Sequence, residues 1–249
     1  LKDKNSIKKI QIITSENKVK NITGFLNSIK FNFSRSIIYS QIKDGSIEAT
    51  ANIFFEEKNE NIFSYDLIGK VKNANFNLIG NSDLNKINFN FDIKKNIYTL
   101  SNISFQFQNT QYRSNKVTIN EKDKSFKFIG DFENKKSLIN LNEFSKLLNL
   151  NLDFLEKKEI PIETKNQFAF TINSKRKIND LEFKSNLKFD QIFLNKKYQD
   201  LIYLKKGTAK IKYLKKNLEV DLNSKFDFLE NENKKKTNSD IDKNNFKLN

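Results

Sequence analysis

Residues 86–132 read KINFNFDIKKNIYTLSNISFQFQNTQYRSNKVTINEKDKSFKFIGDF, and this stretch decides the fold. From Lys86 to Lys94, Ile87, Phe89, Phe91 and Ile93 alternate with Asn88, Asn90 and Asp92. A period of two sends the two sets to opposite faces of a strand. The pattern resumes after Lys95-Asn96 and ends in Ile103, Phe105 and Phe107 against Asn102, Ser104 and Gln106. Val117 and Ile119 make a shorter strand, and Phe126, Phe128, Gly130 and Phe132 follow the polar turn Glu121 to Lys124. Turns this short imply antiparallel neighbours, because parallel pairing needs a crossover of about a dozen residues. The expectation is a meander that is apolar on one side.

Working outward, Ile7 to Ile13 and Val19 to Leu26 read as strands without clean alternation, so residues 1–28 are expected to be irregular. Ile29, Phe31 and Phe33 begin a clearer strand, which Ile37 to Ile42 continues. Asp44-Gly45 reads as a hairpin turn, since Gly tolerates positive φ. Ile47, Ala49, Ala51, Ile53 and Phe55 then alternate with polar residues, and further strands cover Phe63 to Val71 and Ala74 to Leu78. One short helix is expected near Asn142 to Leu150, with Asn142 as N-cap and Phe144, Leu147 and Leu148 at helical spacing. It would cap the end of the apolar face. Pro161 is expected at the start of a strand, where its missing N–H does least harm. Strands return at Phe168 to Ile172, Leu181 to Phe189, Ala209 to Tyr213 and Leu218 to Phe228. The sheet segment is thus expected over 29–228, and residues 229–249 read as a disordered tail or linker because they offer little to bury.

The 249 residues contain no Met, which reads as a processed or partial segment of a longer protein. Abundant Lys, Asn, Ile and Phe, with Arg only at Arg35, Arg113 and Arg176, is the skew of a strongly A/T-biased genome. That bias bears on the net charge of +15, which either attracts a polyanion or reflects a Lys surplus without a partner. No apolar run reaches the roughly 20 residues of a membrane-spanning helix.

Catalytic chemistry is hard to build from this composition. His and Cys are absent, which removes the commonest general base, the commonest metal ligand and any thiol nucleophile. Ser6-Lys9, Ser15-Lys18, Ser174-Lys177 and Ser185-Lys188 match S-x-x-K, but strand alternation places i and i+3 on opposite faces. The six glycines are too widely spaced for a phosphate-cradling loop. The chain is expected to be no enzyme and to use no cofactor or metal. A single-strand nucleic-acid platform needs aromatics and cations on one surface. Here Phe183 and Phe189 oppose Lys184 and Lys188, and Ile211 and Tyr213 oppose Lys210 and Lys212, so no nucleic-acid partner is expected. The aromatic stripe could line either a closed β-sandwich core or an open groove; alternation alone does not separate the two, and the residues by themselves favour the sandwich.

The run from Asn96 to Asn134 (NIYTLSNISFQFQNTQYRSNKVTINEKDKSFKFIGDFEN) resembles the AsmA-like superfamily in its rhythm of strand, polar gap, short strand and a strand carrying Gly130. The run from Ile178 to Phe226 (INDLEFKSNLKFDQIFLNKKYQDLIYLKKGTAKIKYLKKNLEVDLNSKF) is similar to the YhdP branch of that superfamily, which also includes TamB-type proteins. The resemblance implies a membrane-anchored, periplasmic β-rod of a diderm bacterium, whose hydrophobic groove carries phospholipids between inner and outer membranes for envelope biogenesis. On that basis the fold is expected to be mainly β, an extended, curved, groove-like antiparallel sheet with one short helix; the alternative is the closed sandwich. The partners implied are phospholipid acyl chains and components of both membranes. The groove wall is expected at Phe89, Phe91, Phe105, Phe107, Phe126, Phe128, Phe170 and Phe189. The alternative function is a structural or adhesin-like interaction domain.

Overall fold

The computed structural model describes residues 7–21, 42–55, 62–77, 83–123, 125–142, 151–153, 155–157, 159–175, 177–194, 202–214, 217–228 and 246–248. The β-branched and aromatic residues of the alternating runs form strands throughout. These are β1 (Lys9–Lys18), β2 (Ile42–Phe55), β3 (Ile62–Asn77), β4 (Asp83–Lys94), β5 (Ile97–Phe107) and β6 (Thr110–Lys122). They continue as β7 (Ser125–Asn140), β8 (Glu159–Ile172), β9 (Ile178–Phe193), β10 (Ile202–Leu214), β11 (Asn217–Phe228) and the short β12 (Phe246–Leu248). All belong to one antiparallel sheet in which hydrogen-bonded order follows chain order, and the sheet does not close into a barrel. A sandwich requires two facing sheets, so the described strands take the single-sheet alternative.

The chain packs as two compact units. Unit 1 comprises Leu1–Asp131 and Ala169–Asp180, and unit 2 comprises Phe132–Phe168 and Leu181–Asn249. The span 29–228, read above as one segment, contains parts of both.

Alternation holds only in pieces, because single extra residues reset it. Asn73, Lys86, Asn102, Asp180 and Lys206 all have φ between 45° and 51°, inside strands. Beside Asn73, Lys86, Asn102 and Lys206 the pairing register shifts. A left-handed residue that adds one position to a strand is a β-bulge. Each stands in the same local pattern, an apolar residue two before and an apolar residue or glycine one after: Val71 and Ala74, Leu84 and Ile87, Leu100 and Ile103, Ile178 and Leu181, Leu204 and Gly207. Three residues of ordinary strand would put the two members of such a pair on opposite faces. At the four positions where the register shifts, the bulge returns them to the same face.

Several expectations change. Asp44-Gly45 is no hairpin turn: Gly45 does take positive φ (115°), but inside β2, where the register against β3 shifts. A Cβ there would lie 2.7 Å from the Cα of Ala74, so only glycine lets the two strands approach this closely. Val19–Asn21 are helical instead of extended, and Val19 is buried against Ala49, Val71, Ala74 and Phe91. β6 begins at Thr110, before Val117, because Gln108 and Asn109 (φ 48° and 64°) form a two-residue turn with both central residues left-handed. Leu141 and Asn142 are helical, and the cap is Asn140, whose Oδ1 accepts the Asn142 N–H at 3.0 Å, rather than Asn142 itself. The rest of the expected helix, 143–150, lies outside the described residues, as do the strands expected over 29–41 and the tail over 229–245. Within the expected tail, Phe246–Leu248 pair with Val220 to Leu222, because β11 otherwise presents an open row of backbone donors and acceptors.

The polar face of unit 1 carries an ion network across three strands. Lys72 on β3 bridges Glu48 (2.9 Å) on β2 and Glu16 (3.2 Å) on β1, and Lys70 meets Glu48 at 2.8 Å. Hydrogen bonds from Ser46 and Lys72 hold the Glu16 carboxyl below its ordinary value, and those from Lys70 and Lys72 do the same for Glu48. The same contacts raise Lys72. The carboxylates therefore stabilise the fold fully above the ordinary value of 4.5 and lose that contribution as pH falls through their lowered values. Lys72 contributes fully below 10.5 and loses its contribution as pH rises through its raised value. Melting curves of wild type and Lys72→Met should therefore differ most between these limits, converge in acid, and converge at molar salt, where exposed pairs are screened. A difference that persists unchanged at pH 2 would show that Lys72 acts through packing.

Candidate functional site

In unit 1 the register assembles the apolar face row by row. Ala49, Gly69, Phe91, Leu100 and Val117 form one cross-strand row from β2 to β6, and Ala51, Leu67, Ile93, Tyr98 and Ile119 form the next. Beyond the bulges, Phe76, Leu84, Phe107 and Thr110 share a row, and Phe105 faces Tyr112. Seven of the eight expected wall residues lie in this unit: Phe89, Phe91, Phe105, Phe107, Phe126, Phe128 and Phe170. They are not equivalent. Phe91, Phe107 and Phe126 are buried, whereas Phe89, Phe105, Phe128 and Phe170 are half-buried.

The buried ones act as packing. Phe91 lies over its cross-strand partner Gly69, where an added Cβ would come within 2.5 Å of the ring and 2.2 Å of the Glu48 carbonyl. A phenyl laid across a strand glycine covers backbone that no side chain would otherwise protect. The half-buried rings make aromatic pairs instead. Phe128 stacks on Phe170 (centroids 4.8 Å apart, 11° between planes), and Phe105 stacks on Tyr112 (5.3 Å, 13°). Tyr112 is 2 % exposed, and burial pushes its phenol up to about 12. At the β4–β5 hairpin, Tyr98 meets Phe126 edge-on (6.5 Å) and donates to Glu121 Oε2 at 2.8 Å. Tyr65 donates to the Lys95 carbonyl at 3.2 Å; burial first, then the Glu121 charge, raises its phenol. These two hydroxyls give one end of the face a polar margin.

Unit 2 carries its own apolar face, with Phe189, the eighth expected residue. Phe189 lies over Gly207, its partner on β10, and a Cβ at Gly207 would fall 2.1 Å from the ring. Ile139, Leu155, Ile160 and Ile162 form a buried cluster, against which Leu141, Leu152, Leu187, Ile192 and Leu194 pack. Leu141, Leu152 and Leu155 come from the connection between β7 and β8, which thus closes this part of the face. Elsewhere on the same face, Phe132 contacts Phe168 at 6.1 Å and Phe183 at 6.4 Å, all three half-buried.

A polar band separates these two apolar regions. Asn134 on β7, Thr164 and Asn166 on β8, and Ser185 on β9 are all buried at apolar-face positions. Thr164 donates to Asn134 Oδ1 (2.5 Å); Asn166 Nδ2 reaches Thr164 Oγ1 (2.6 Å) and the Phe132 carbonyl (3.1 Å). Asn134 Nδ2 donates to the Ile162 carbonyl at 2.8 Å. Satisfied in this way, Asn134, Thr164 and Asn166 escape the cost of about 1–3 kcal/mol that an unpaired buried polar atom carries. Thr110 and Ser114 are likewise buried on the face of unit 1. The face is therefore not uniformly apolar, as alternation implied. The polar positions were visible in sequence as the even-spaced Asn134, Thr164, Asn166 and Ser185 within alternating runs, but nothing local tells a buried Asn from an exposed one.

On the opposite face the Lys residues stand where alternation places them: Lys184 pairs with Lys212 across β9 and β10, while Phe183 pairs with Tyr213 on the apolar side. Among the described residues no group of three or more carboxylates is arranged to hold a metal ion, and no helix is long and apolar enough to cross a membrane. No family model matches the chain, and neither a curated protein nor a solved structure matches it.

The Phe–Gly pairs can be tested directly. Gly207→Ala should destabilise the protein by about 1–3 kcal/mol, the usual cost of overpacking, because the Phe189 ring must leave its seat. In a Phe189→Ala background the same change should cost little. Equal penalties in both backgrounds, measured by urea denaturation, would refute the ring-over-glycine account.

Proposed function

We propose that the chain is a non-enzymatic segment of a lipid-conducting groove, in which phospholipid acyl chains lie against the apolar sheet face while headgroups stay in water. The observation that carries this reading is the division of labour among the aromatics of unit 1. Phe91 and Phe107 are committed to packing, yet Phe89, Phe105, Phe128 and Phe170 keep part of their rings accessible on the same side of a one-sheet structure. A closed core would bury such rings, since each full burial is worth about 1.5–3 kcal/mol. Lysines and acidic residues fill the opposite face, so the two faces have distinct solvent preferences.

The mechanism is passive. Each CH₂ removed from water is worth about 0.8 kcal/mol, so an acyl chain lying against the apolar face avoids a barrier larger than any single contact could supply. The polar hydroxyls of Tyr65 and Tyr98 mark a margin where a headgroup could remain hydrated. The strand rhythm that resembles AsmA-like proteins supports the same reading, and with it a periplasmic location in an inner-membrane-anchored protein and a role between the two membranes of a diderm envelope.

Native mass spectrometry of the chain expressed in a bacterial periplasm tests this. Phospholipid should co-purify, resist molar salt, and be lost in the folded triple variant Phe105→Asp, Phe128→Asp, Phe170→Asp. A folded, lipid-free wild type would sink the proposal. Binding that falls steeply with salt would point instead to a polyanion held by the lysine-rich face.

A further inference from the structure

The bulges of unit 1 fall on neighbouring strands. The register slips between Thr14 and Asn17 on β1, around Gly45 on β2, at Asn73 on β3, at Lys86 on β4 and at Asn102 on β5. Pairing places these breaks beside one another: Ser46 opposes Lys72, Ala74 opposes Ile87, and Asn88 opposes Ser104. They form a line across the strands. On one side of it lie Phe89 and Phe91, and on the other Phe105 and Phe107.

Two asparagines on the polar face tie this line together. Asn88 Oδ1 accepts the N–H of the bulge residue Asn73 at 3.1 Å. Its Nδ2 donates to the carbonyl of the bulge residue Lys86 at 2.8 Å and to Ser104 Oγ on β5 at 3.3 Å. Asn75 Oδ1 accepts the Lys86 N–H at 3.3 Å, and its Nδ2 reaches Asp44, next to Gly45, at 3.5 Å. Two side chains thus take up the backbone groups of the bulge residues on β3 and β4, and reach side chains on the flanking strands β2 and β5.

We propose that Asn75 and Asn88 are positioning residues, a clasp that holds unit 1 at a fixed bend along the bulge line and so fixes the angle between the Phe89/Phe91 and Phe105/Phe107 halves of its apolar face. The physical basis is local. Bulges bend and twist a strand more strongly than regular pairing does, and an unsatisfied N–H would favour slipping back into register. The side-chain amides satisfy those groups only in the bulged geometry. Lys86 pays for the arrangement, because a non-glycine residue at φ 50° is sterically disfavoured. The proposal does not rest on lipid binding; it concerns the frame on which any ligand of this face would sit.

The absence of Cys makes the test clean. Spin labels on the full chain at Asp83→Cys and Lys94→Cys flank the line on β4, and pulsed electron resonance reads the distance between them. Asn75→Ala with Asn88→Ala should lengthen and broaden that distance, and hydrogen exchange at the Asn73 and Lys86 amides should speed up about tenfold, the equivalent of one lost hydrogen bond. Lys86→Gly, which keeps the left-handed conformation without its steric cost, should leave the distance unchanged. If the double variant loses its β-sheet circular dichroism, Asn88→Asp carries the test, since it keeps the acceptor for Asn73 and removes both donated bonds. A wild-type distance distribution in a folded double variant, or in Asn88→Asp in its place, would overturn the proposal, as would a lengthened distance in Lys86→Gly.

Discussion

A strand can show one solvent preference per face only while its two-residue parity is kept, and this constraint governs the whole molecule. Where a strand outlasts a single alternating run, parity must be reset or the apolar residues change sides. The chain resets it with single left-handed residues. Asn and Asp tolerate that conformation because their short polar side chains can bond locally; Lys86 and Lys206 take it at a steric cost. The apolar rows from Ala49 to Val117 and from Phe76 to Thr110 share a face because the intervening bulges absorb the odd residue.

Packing then depends on how a single sheet protects an apolar face. Part of the answer is covering from within the chain: Val19 in unit 1, and Leu141, Leu152 and Leu155 in unit 2. Part is the phenyl laid over a neighbouring glycine, as Phe91 over Gly69 in unit 1 and Phe189 over Gly207 in unit 2. Part is an internally satisfied polar band, Asn134 with Thr164 and Asn166, which can be buried without the penalty of an orphaned donor. What remains accessible are stacked or tilted aromatic pairs, whose rings protect one another's faces while their edges stay open.

This arrangement separates structural from ligand-facing aromatics more sharply than residue type does. Phe89 and Phe91 are two residues apart on one strand and face the same side, yet only Phe91 has a glycine beneath it. Substituting Phe91 or Phe189 therefore tests the fold, whereas substituting Phe105, Phe128 or Phe170 tests the face.

Much of the architecture was legible from residues 86–132 alone. Alternation and short polar turns determine an antiparallel meander, and they determine which residues within one run share a face, because both are properties of a few consecutive residues. The phase between successive runs is different. Whether Leu100 and Ile103 point together depends on Asn102 being left-handed, beside a register shift against β4, where Asn88 bonds Ser104 of the same strand. For the same reason Asp44-Gly45 reads as a turn but serves as a bulge: glycine supplies positive φ, and the neighbouring strand decides its use. Burial of Asn134 and Thr164 likewise rests on partners 28 and 30 residues away. Local chemistry determined the strands and their two faces; only tertiary pairing decided how the faces join and which of their aromatics remain open.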